Sequence, residues 1–469
     1  MTLTAPTPSS RPGLGRDLLA TLSLGLPLVG SQVTQMLVGV TDALMLGRYS
    51  VPALAAGTLG ASSFFTVFIL GMGLALAVMP LAAQAAGRGD EVRMRRVTRM
   101  GLWLAVMFGL GALPLFWFSG AVLTALGQTP EVAANGQAYL RIAGLGMVPA
   151  LLMATFRSHL SALERTRVVL WATLAGALVN AGLNWLLIFG NWGLPELGIR
   201  GAAIASVAVQ AISCALLAAY AVRGPGMARF ELLKNIHRPD WPVMGELFRL
   251  GWPIGLTQLA ESGLFTATAL MLGWLGAVPL AAHGVAIQIA GLTFMVHVGL
   301  SSAVTVRVGT ALGRDDRAAV ARASVAAAIL SAGAVVLAVV LYLTAGRWLI
   351  GLFVSPDDPQ AGAILDLGVR LLMLAGLFQA VDAAQVMALG MLRGLQDTRR
   401  PMVYAVVAYW VLGLPAGYVL GFPMGLGPEG VWLGLVVGLA AAGVLLSARF
   451  VGLMRAIPAP GASPVTSRS

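Results

Sequence analysis

The sequence is poor in charge, in cysteine and in metal-binding side chains. Only 10% of its 469 residues are charged and 58% are hydrophobic, whereas soluble domains carry roughly a quarter charged residues and under half apolar ones. The single cysteine, Cys214, can form no internal disulfide, and we interpret it as a small packed hydrophobe. The four histidines lack the Cys/His spacing of a zinc site. These deficits exclude a soluble enzyme, a disordered chain and a disulfide scaffold, and they indicate a polytopic membrane protein.

Long apolar runs fill most of the chain. A helix that crosses the hydrocarbon core needs about 20 apolar residues. The sequence offers twelve such stretches, at 18–46, 52–80, 97–118, 136–158, 168–189, 199–222, 247–274, 278–306, 319–344, 364–391, 401–421 and 430–454. A membrane barrel would instead show short alternating strands. The first run is too long for a signal peptide, so we expect it to remain as an anchor. The predicted fold is all-α, with twelve transmembrane helices.

The basic residues fall on one side of this topology. The net charge of +11 comes from 30 Lys and Arg against 19 Asp and Glu. If the N-terminus is cytoplasmic, the basic residues left on the outer side are only Arg48, Arg141, Arg200, Arg347 and Arg370. Such asymmetry is typical of loops at an anionic cytoplasmic membrane face. We therefore expect a multi-pass protein of the cell inner membrane, monomeric in the lipid bilayer, with both termini cytoplasmic. No basic stripe with interleaved aromatics indicates a nucleic-acid partner.

The two halves of the chain resemble each other. A shift of 226 residues superimposes Gly25 on Gly251, Leu44-Met45-Leu46-Gly47 on Leu270-Met271-Leu272-Gly273, and Gly87-Arg88 on Gly313-Arg314. Each half holds six apolar stretches, an even number, so both halves enter the membrane from the same side. We expect two lobes related by a pseudo-two-fold axis along the membrane normal, as in transporters built from parallel repeats. Duplication also builds channels and scaffolds, so this architecture favours a transporter without requiring one.

The repeat predicts the domain boundaries. Arg223-Gly224-Pro225-Gly226 begins a polar, proline-broken connection between the halves, which is typical of a linker. The predicted units are a cytoplasmic tail at 1–17, an N-lobe at 18–222, a cytoplasmic linker at 223–246, a C-lobe at 247–455 and a second cytoplasmic tail at 456–469.

Three acidic residues, Asp42, Glu261 and Asp382, lie inside apolar stretches without a basic neighbour within one helical turn. Each costs about 2.5–3.5 kcal/mol to insert, so we expect it to face a polar cavity rather than lipid. A structural hydrogen bond to a neighbouring helix is the alternative. We interpret the remaining charges as lying in tails, connections or helix ends, so we expect the charges embedded in the membrane to be all acidic.

An embedded carboxyl group can exchange one positive charge for another. Away from bulk water it can bind and release a proton near neutral pH. When ionised, it attracts an organic cation, and a proton or Na⁺ that neutralises it removes that attraction. Competition for one charge is therefore sufficient for antiport, without a nucleophile. The chain contains no Walker motif, so ATP is not its direct energy source.

Amide side chains are candidates to support these acids. Asn180 and Asn184 lie four residues apart on one helix face. Beside Asp42 they would form an oxygen-rich pocket for Na⁺ or a proton, although asparagine pairs also join helices. Gln35 and Gln258 either line the cavity or bond neighbouring helices.

The sequence resembles the multidrug and toxic compound extrusion (MATE) family over nearly its whole length. The matching segments, in order, are Gly25-Leu26-Pro27 with Asp42 and Leu44-Met45-Leu46-Gly47, then 82–90, 307–313 and 392–399. The resemblance implies an antiporter that exports cationic amphiphilic drugs or toxic compounds in exchange for H⁺ or Na⁺, without any cofactor.

The resemblance also implies roles for particular residues. Glu261 and Asp382 match the glutamate on helix seven and the aspartate on helix ten of the NorM-like branch, and Asp42 matches the aspartate on helix one. Asn184 stands where DinF-like members have an aspartate. Phe378 stands where some Na⁺-using members have tyrosine. Because phenylalanine lacks the hydroxyl oxygen, this difference favours protons over Na⁺ at Glu261 and Asp382.

Other functional classes remain as alternatives. A flippase for a lipid-linked or polysaccharide substrate shares this architecture, but it should carry a cationic cavity that holds phosphates. An integral-membrane enzyme should cluster His, Ser or Asp at one depth, and no such pattern is visible. A channel needs no alternating lobes. The sequence therefore favours an efflux antiporter.

Overall fold

A computed structural model describes residues 13–355 and 357–456. The predicted tails at 1–17 and 456–469 lie largely outside these residues. The first half contains eight helices: α1 (Leu14–Tyr49), α2 (Val51–Arg88), α3 (Glu91–Trp117), α4 (Ser119–Ala125), α5 (Pro130–Leu145), α6 (Met147–Ala162), α7 (Thr166–Phe189) and α8 (Ile199–Arg223).

The second half contains seven α-helices. Its helices are α9 (Trp241–Leu275), α10 (Ala277–Gly313), α11 (Arg317–Gly351), α12 (Ala361–Gly394), α13 (Arg399–Val406), α14 (Leu414–Gly421) and α15 (Gly427–Ala456). A π-helical segment, Val407–Gly413, joins α13 to α14. α1 begins inside the predicted tail 1–17, and α9 begins inside the predicted linker 223–246.

The helices account for all twelve predicted stretches. Among the described residues, ten helices are long and apolar enough to cross a membrane, and the pair α5 and α6, bent by 45°, gives an eleventh. The remaining stretch lies in α9, which has 35 residues. Polar residues such as Gln258 and Glu261 lower its mean hydropathy. The all-α membrane fold is confirmed.

Equivalent residues begin equivalent helices in the two halves. Asp90 accepts a hydrogen bond from the Arg93 amide at 2.8 Å at the start of α3, and Asp316 accepts one from the Ala319 amide at 2.8 Å at the start of α11. A side-chain oxygen at this position satisfies an amide that the helix leaves free. The repeat seen in the sequence is thus a repeat of local structure.

The two lobes pack through helices that the repeat makes equivalent. α1 of the N-lobe packs against α10 of the C-lobe, α9 packs against α2, and α2 packs against α10. A Cβ atom added to Gly25 would lie 2.9 Å from the Leu300 side chain, and one added to Gly251 would lie 2.6 Å from Leu74. Both pairs obey the shift of 226 residues. This reciprocity is what a pseudo-two-fold axis between the lobes produces.

Polar contacts also join the lobes where α1 begins and α10 ends. Arg307 of α10 forms an ion pair with Asp17 of α1, and Arg322 of α11 approaches the same carboxylate at 3.2 Å. Arg96 of α3 forms an ion pair at 2.5 Å with Asp240, the residue that precedes α9. Arg96 and Arg322 are equivalent in the repeat, so each lobe contacts the other with an arginine at the same position.

The connection between the lobes lies along α3. Arg95 binds Glu231 at 2.7 Å, Arg99 donates to the Lys234 carbonyl at 2.6 Å, and the Trp103 indole donates to the Ile236 carbonyl at 2.7 Å. The Arg96 guanidinium holds the pKa of Asp240 below its usual range. The arginines of α3 therefore bind the connection between the lobes. We call the side of the molecule that carries this connection the linker side.

The tightest inter-lobe approach yields a prediction about stability. A Cβ atom on Gly87 would collide with the backbone carbonyl of Thr310. We expect Gly87→Leu to destabilise the purified protein by about 1–3 kcal/mol, measured as a lower midpoint of thermal unfolding in detergent. Gly452→Leu is the control because it changes the same residue types in a helix where a Cβ meets open space. Equal midpoints for the two variants would show that the lobes do not pack as described.

Candidate functional site

In the N-lobe, the structure brings together Asp42, Asn180 and Asn184. Asp42 lies on α1 and is half-buried. The Asn184 side-chain amide, on α7, donates to the Asp42 carboxylate at 2.5 Å and lies 3.3 Å from the Asn180 oxygen. The two asparagines reach one carboxylate because residues four apart share a helix face.

This N-lobe pocket keeps an unused acceptor. The Asn184 side-chain oxygen is buried and has no hydrogen-bond partner among the described residues. An unpartnered buried oxygen costs about 1–3 kcal/mol unless a proton donor or cation satisfies it. The pocket therefore presents a carboxylate and amide oxygens, which are ligands suited to a hard cation. Gln35, seven residues before Asp42, is exposed.

In the C-lobe, Glu261 of α9 and Asp382 of α12 lie near each other. Their carboxyl groups interact electrostatically, and Glu261 also interacts with the Arg393 guanidinium. Asp382 is only 1% exposed. With both acids ionised, the single arginine leaves one excess negative charge in the interior of the lobe.

Unpartnered polar atoms collect around these acids. We define the C-lobe polar cluster as Glu261, Gln379, Asp382, Gln385 and Tyr409. Within the described ranges, each of these five contributes at least one buried side-chain atom without a hydrogen bond. Desolvating polar groups without replacing their hydrogen bonds is unfavourable, so such a concentration indicates a site that takes up a polar or charged guest.

The π-helical segment supplies one member of this cluster. Tyr409 lies in Val407–Gly413 and is fully buried. Its hydroxyl interacts electrostatically with Glu261 and Asp382. Local π-helix is rare and is frequent at functional sites. The irregular backbone here places a hydroxyl oxygen beside the two acids.

Aromatic rings form one wall beside the cluster. Phe378, one turn before Asp382, lies edge-on to Phe265 with ring centroids 6.0 Å apart and to Trp432 at 5.8 Å. His283 contacts the opposite side of this group, 5.7 Å from Trp432. The Gln258 side-chain oxygen, on α9, is buried without a partner among the described residues. Faces of aromatic rings attract organic cations.

The prediction that all embedded charges are acidic is wrong. Arg157, expected at the cytoplasmic end of its stretch, lies within α6 and donates to the Gln32 side chain in the middle of α1. Arg393, expected in a connection, lies in the last turn of α12 and interacts with Glu261. Long side chains carry the guanidinium groups away from the helix ends, a reach that residue position does not reveal.

Several members of the cluster were missed by sequence reasoning. Gln379 and Gln385 lie three residues before and after Asp382, a spacing that places them beside it on one helix, and this signal was available. No pattern in the sequence pointed to Tyr409. Its stretch is apolar like that of a regular helix, and such a pattern does not reveal a π-helical segment that turns one residue inward.

A comparison with a protein-family model agrees with the architecture. The model described as MatE matches residues 27–186 and 253–419, one segment in each lobe. A "Probable multidrug resistance protein NorM" of Rhizobium meliloti (strain 1021) is 44% identical over 445 residues, covering 95% of each chain.

Solved structures share the fold. A MATE family multidrug resistance transporter of the MOP superfamily, in an outward-facing conformation, superimposes with a TM-score of 0.86 at 18% identity, covering 96% of this chain and 99% of that one. A second structure is that of a MOP superfamily transporter from Pyrococcus furiosus Vc1 (DSM3638), described by a binding pocket of reversed polarity that suggests a different function. It superimposes with a TM-score of 0.84 at 19% identity, covering 96% of this chain and 99% of that one. At such identities the likeness concerns the fold alone.

The N-lobe hydrogen bond yields a prediction. Asn184→Leu removes the donor to a half-buried carboxylate, so we expect a loss of about 1–3 kcal/mol in stability at neutral pH. In an Asp42→Asn background the loss should shrink, because no charge is then left unpartnered. Thermal unfolding of the single and double variants measures this coupling. Asn135→Leu, at an exposed position, is the control, and strictly additive losses would contradict the coupling.

Proposed function

Because this chain belongs to the MATE family, we propose that it is a secondary antiporter that exports cationic amphiphilic compounds in exchange for H⁺ or Na⁺. The NorM-named relative supports multidrug efflux as its activity. Efflux by this route requires no cofactor and no covalent step. The energy comes from the coupling ion moving down its gradient.

The observation that carries this proposal is the C-lobe polar cluster. Arg393 interacts electrostatically with Glu261, and Glu261 with Asp382, so the cluster with both acids ionised lacks one positive charge. A monovalent ion restores neutrality, and so does the positive group of a drug. Since both cannot occupy the cluster together, binding of one releases the other.

Protons fit this cluster better than Na⁺ in our proposal. The buried ring at Phe378 supplies no oxygen, whereas a proton needs only one carboxyl group. Tyr409 and the two glutamines can donate hydrogen bonds to whichever acid remains ionised. The N-lobe pocket of Asp42, Asn180 and Asn184, with its amide oxygens, is the second candidate site for the coupling ion.

The contacts between the lobes support alternating access. On the linker side, the lobes are held together by Asp17 with Arg307 and by Gln396, which donates to Gln84 at 2.7 Å. Gly87 and Gly313 pack backbone against backbone at the same level. A substrate cannot pass between the lobes on this side until these contacts separate, so the structure corresponds to a state closed on the linker side.

The linker side is cytoplasmic in our proposal. The start of α1 and the connection that follows α10 lie there, and the positive-inside rule assigns their arginines to the cytoplasm. The chain is then a multi-pass protein of the inner membrane, monomeric, with both termini cytoplasmic. The closed linker side makes this state outward-facing.

A flippase is the second candidate, and Arg157 is the observation that favours it. Its guanidinium contacts the Gln32 amide oxygen, whereas Arg393 has an acidic neighbour. A cationic group inside a lobe could hold a phosphate. Two acids in the C-lobe and one in the N-lobe outweigh it and favour cationic substrates.

The proposal predicts which carboxylates are required for transport. Glu261→Gln and Asp382→Asn should each abolish drug efflux that is coupled to an ion gradient, because neither variant can exchange one charge for another. Uptake of a fluorescent cation by everted membrane vesicles, in which export is directed inward, reports this directly. Asp366→Asn, which removes an exposed acid paired with Arg347, should transport normally. Wild-type efflux by the two cluster variants would remove the C-lobe acids from the mechanism.

The coupling ion is a separate prediction. In proteoliposomes, a pH gradient imposed without Na⁺ should drive substrate transport, because a proton alone neutralises the cluster. A Na⁺ gradient at equal pH on both sides should drive little. Transport driven by Na⁺ alone would overturn the choice of protons and direct attention to the oxygen ligands of the N-lobe pocket.

A further inference from the structure

Arg157 carries an embedded charge that no acidic side chain among the described residues neutralises. Its guanidinium forms no ion pair within that part of the chain, and its one hydrogen bond goes to the neutral side-chain oxygen of Gln32. Arg393 differs in this respect, because it interacts with Glu261. Burying a charge without a counter-charge is strongly unfavourable. The fold therefore leaves at Arg157 a positive charge that a bound group has to neutralise.

The guanidinium of Arg157 lies at membrane depth rather than at the interface. α6 ends on the linker side, since Arg165 just after it donates to the Pro225 carbonyl of the connection between the lobes at 3.5 Å. Side chains on a helix lean toward its N-terminus, so that of Arg157 leans away from the linker side. It meets Gln32, which lies about 10 Å further along α1 than Gly25. The charge therefore does not extend to the interface, as long basic side chains near helix ends usually do.

Arg157 faces an internal space rather than lipid. Every other residue from 154 to 162 on α6 is buried, whereas Arg157 is only partly buried. Nine consecutive residues cover every side of a helix, so lipid does not reach α6 at this level. The exposed part of Arg157 therefore borders an internal space. Its Nε and Nη1 atoms, which have no hydrogen-bond partner within the described ranges, are accessible from that space.

Gln32 places this space at the boundary between the lobes. It follows Gly25 by seven residues, so both lie on one side of α1, and Gly25 packs on Leu300 of the other lobe. One turn beyond Gln32, the methyl group of Met36 would lie 3.8 Å from a Cβ atom on Gly291, again in the other lobe. Gln32 is itself only partly buried. Arg157 and Gln32 therefore lie beside the region through which a transported compound passes between the lobes.

The groups that Arg157 and Gln32 leave free are hydrogen-bond donors. The Gln32 side-chain oxygen accepts from Arg157, which leaves its NH₂ group to donate. The guanidinium retains the N–H groups of Nε and Nη1. N–H donors grouped around a positive charge bind anions, and they bind carboxylates in particular. One uncompensated positive charge requires one monovalent anion.

We propose that Arg157 and Gln32 bind a monovalent anionic group at the boundary between the lobes. Two sources supply such a group: chloride from solution, and the carboxylate of a transported compound that also carries an amine. The second source rests on the proposed function, whereas the first does not. A compound with both charges would place its amine toward the acids of the C-lobe and its carboxylate at Arg157.

Chloride binding is tested by thermal unfolding of the purified protein, with chloride replacing the bulky anion of HEPES at constant ionic strength. The wild-type midpoint should rise by about 2 °C or more and saturate, because chloride binds the folded state. Arg157→Gln should show no rise, and its midpoint without chloride should be no lower than that of the wild type, because the variant removes an unneutralised charge. Arg157→Lys, which keeps the charge, should retain the rise, as should the control Arg167→Gln at an exposed position. A residue that only joined α6 to α1 would instead lower the midpoint and leave the chloride response intact.

Carboxylate binding is tested with a fluorescent amphiphilic amine that carries a carboxylate, compared with its methyl ester. The wild-type chain should bind the acid about tenfold more tightly than the ester, which corresponds to about 1.4 kcal/mol, and Arg157→Gln should bind the two alike. Asp382→Asn should weaken both compounds and keep the preference for the acid, so failure of the proposed transport mechanism and failure of this site give different results. Loss of either response in Arg157→Gln supports the proposal and identifies the source of the anion. If neither response is present in the wild-type chain and lost in Arg157→Gln, the proposal is overturned.

Discussion

A charge buried in a lipid bilayer must be neutralised, and the interior of each lobe is organised by this constraint. In the N-lobe, the Asp42 carboxylate receives a hydrogen bond from an amide and keeps oxygen acceptors around it. In the C-lobe, Arg393 interacts with Glu261 alone of the two acids, so the cluster is short of one positive charge when Glu261 and Asp382 are both ionised. The first arrangement solvates an acid locally, whereas the second leaves an imbalance that a mobile ion or a cationic compound corrects.

The duplicated architecture makes that imbalance useful. Equivalent glycines bring the lobes into backbone contact, and equivalent arginines, Arg96 and Arg322, each bind an acid where the first helix of the other lobe begins. These contacts accompany a buried apolar cluster that extends from α2 and α3 into α9 and α10. The proposed ion sites lie inside the lobes, so a change in their occupancy does not require the lobes themselves to unfold.

In the proposed mechanism, the acidic sites rather than the fold select the charge of the substrate. The Pyrococcus furiosus transporter, at 19% identity, shares the fold alone. In the present chain the acids outnumber the embedded arginines, and an aromatic wall of Phe265, Phe378 and Trp432 adjoins them. Both features favour flat, apolar cations.

The sequence by itself determined the membrane class, the twelve helical stretches, the duplication and the three embedded acids, because hydropathy, periodicity and residue type are local properties. It also placed Asn180 and Asn184 on one helix face. Only the tertiary structure decided that Arg157 and Arg393 reach into the lobes, that the Gln379 amide has no hydrogen-bond partner within the described residues, and that Tyr409 turns toward Glu261. Those facts depend on how long side chains and an irregular π-helical turn meet residues more than a hundred positions away, which no local pattern records.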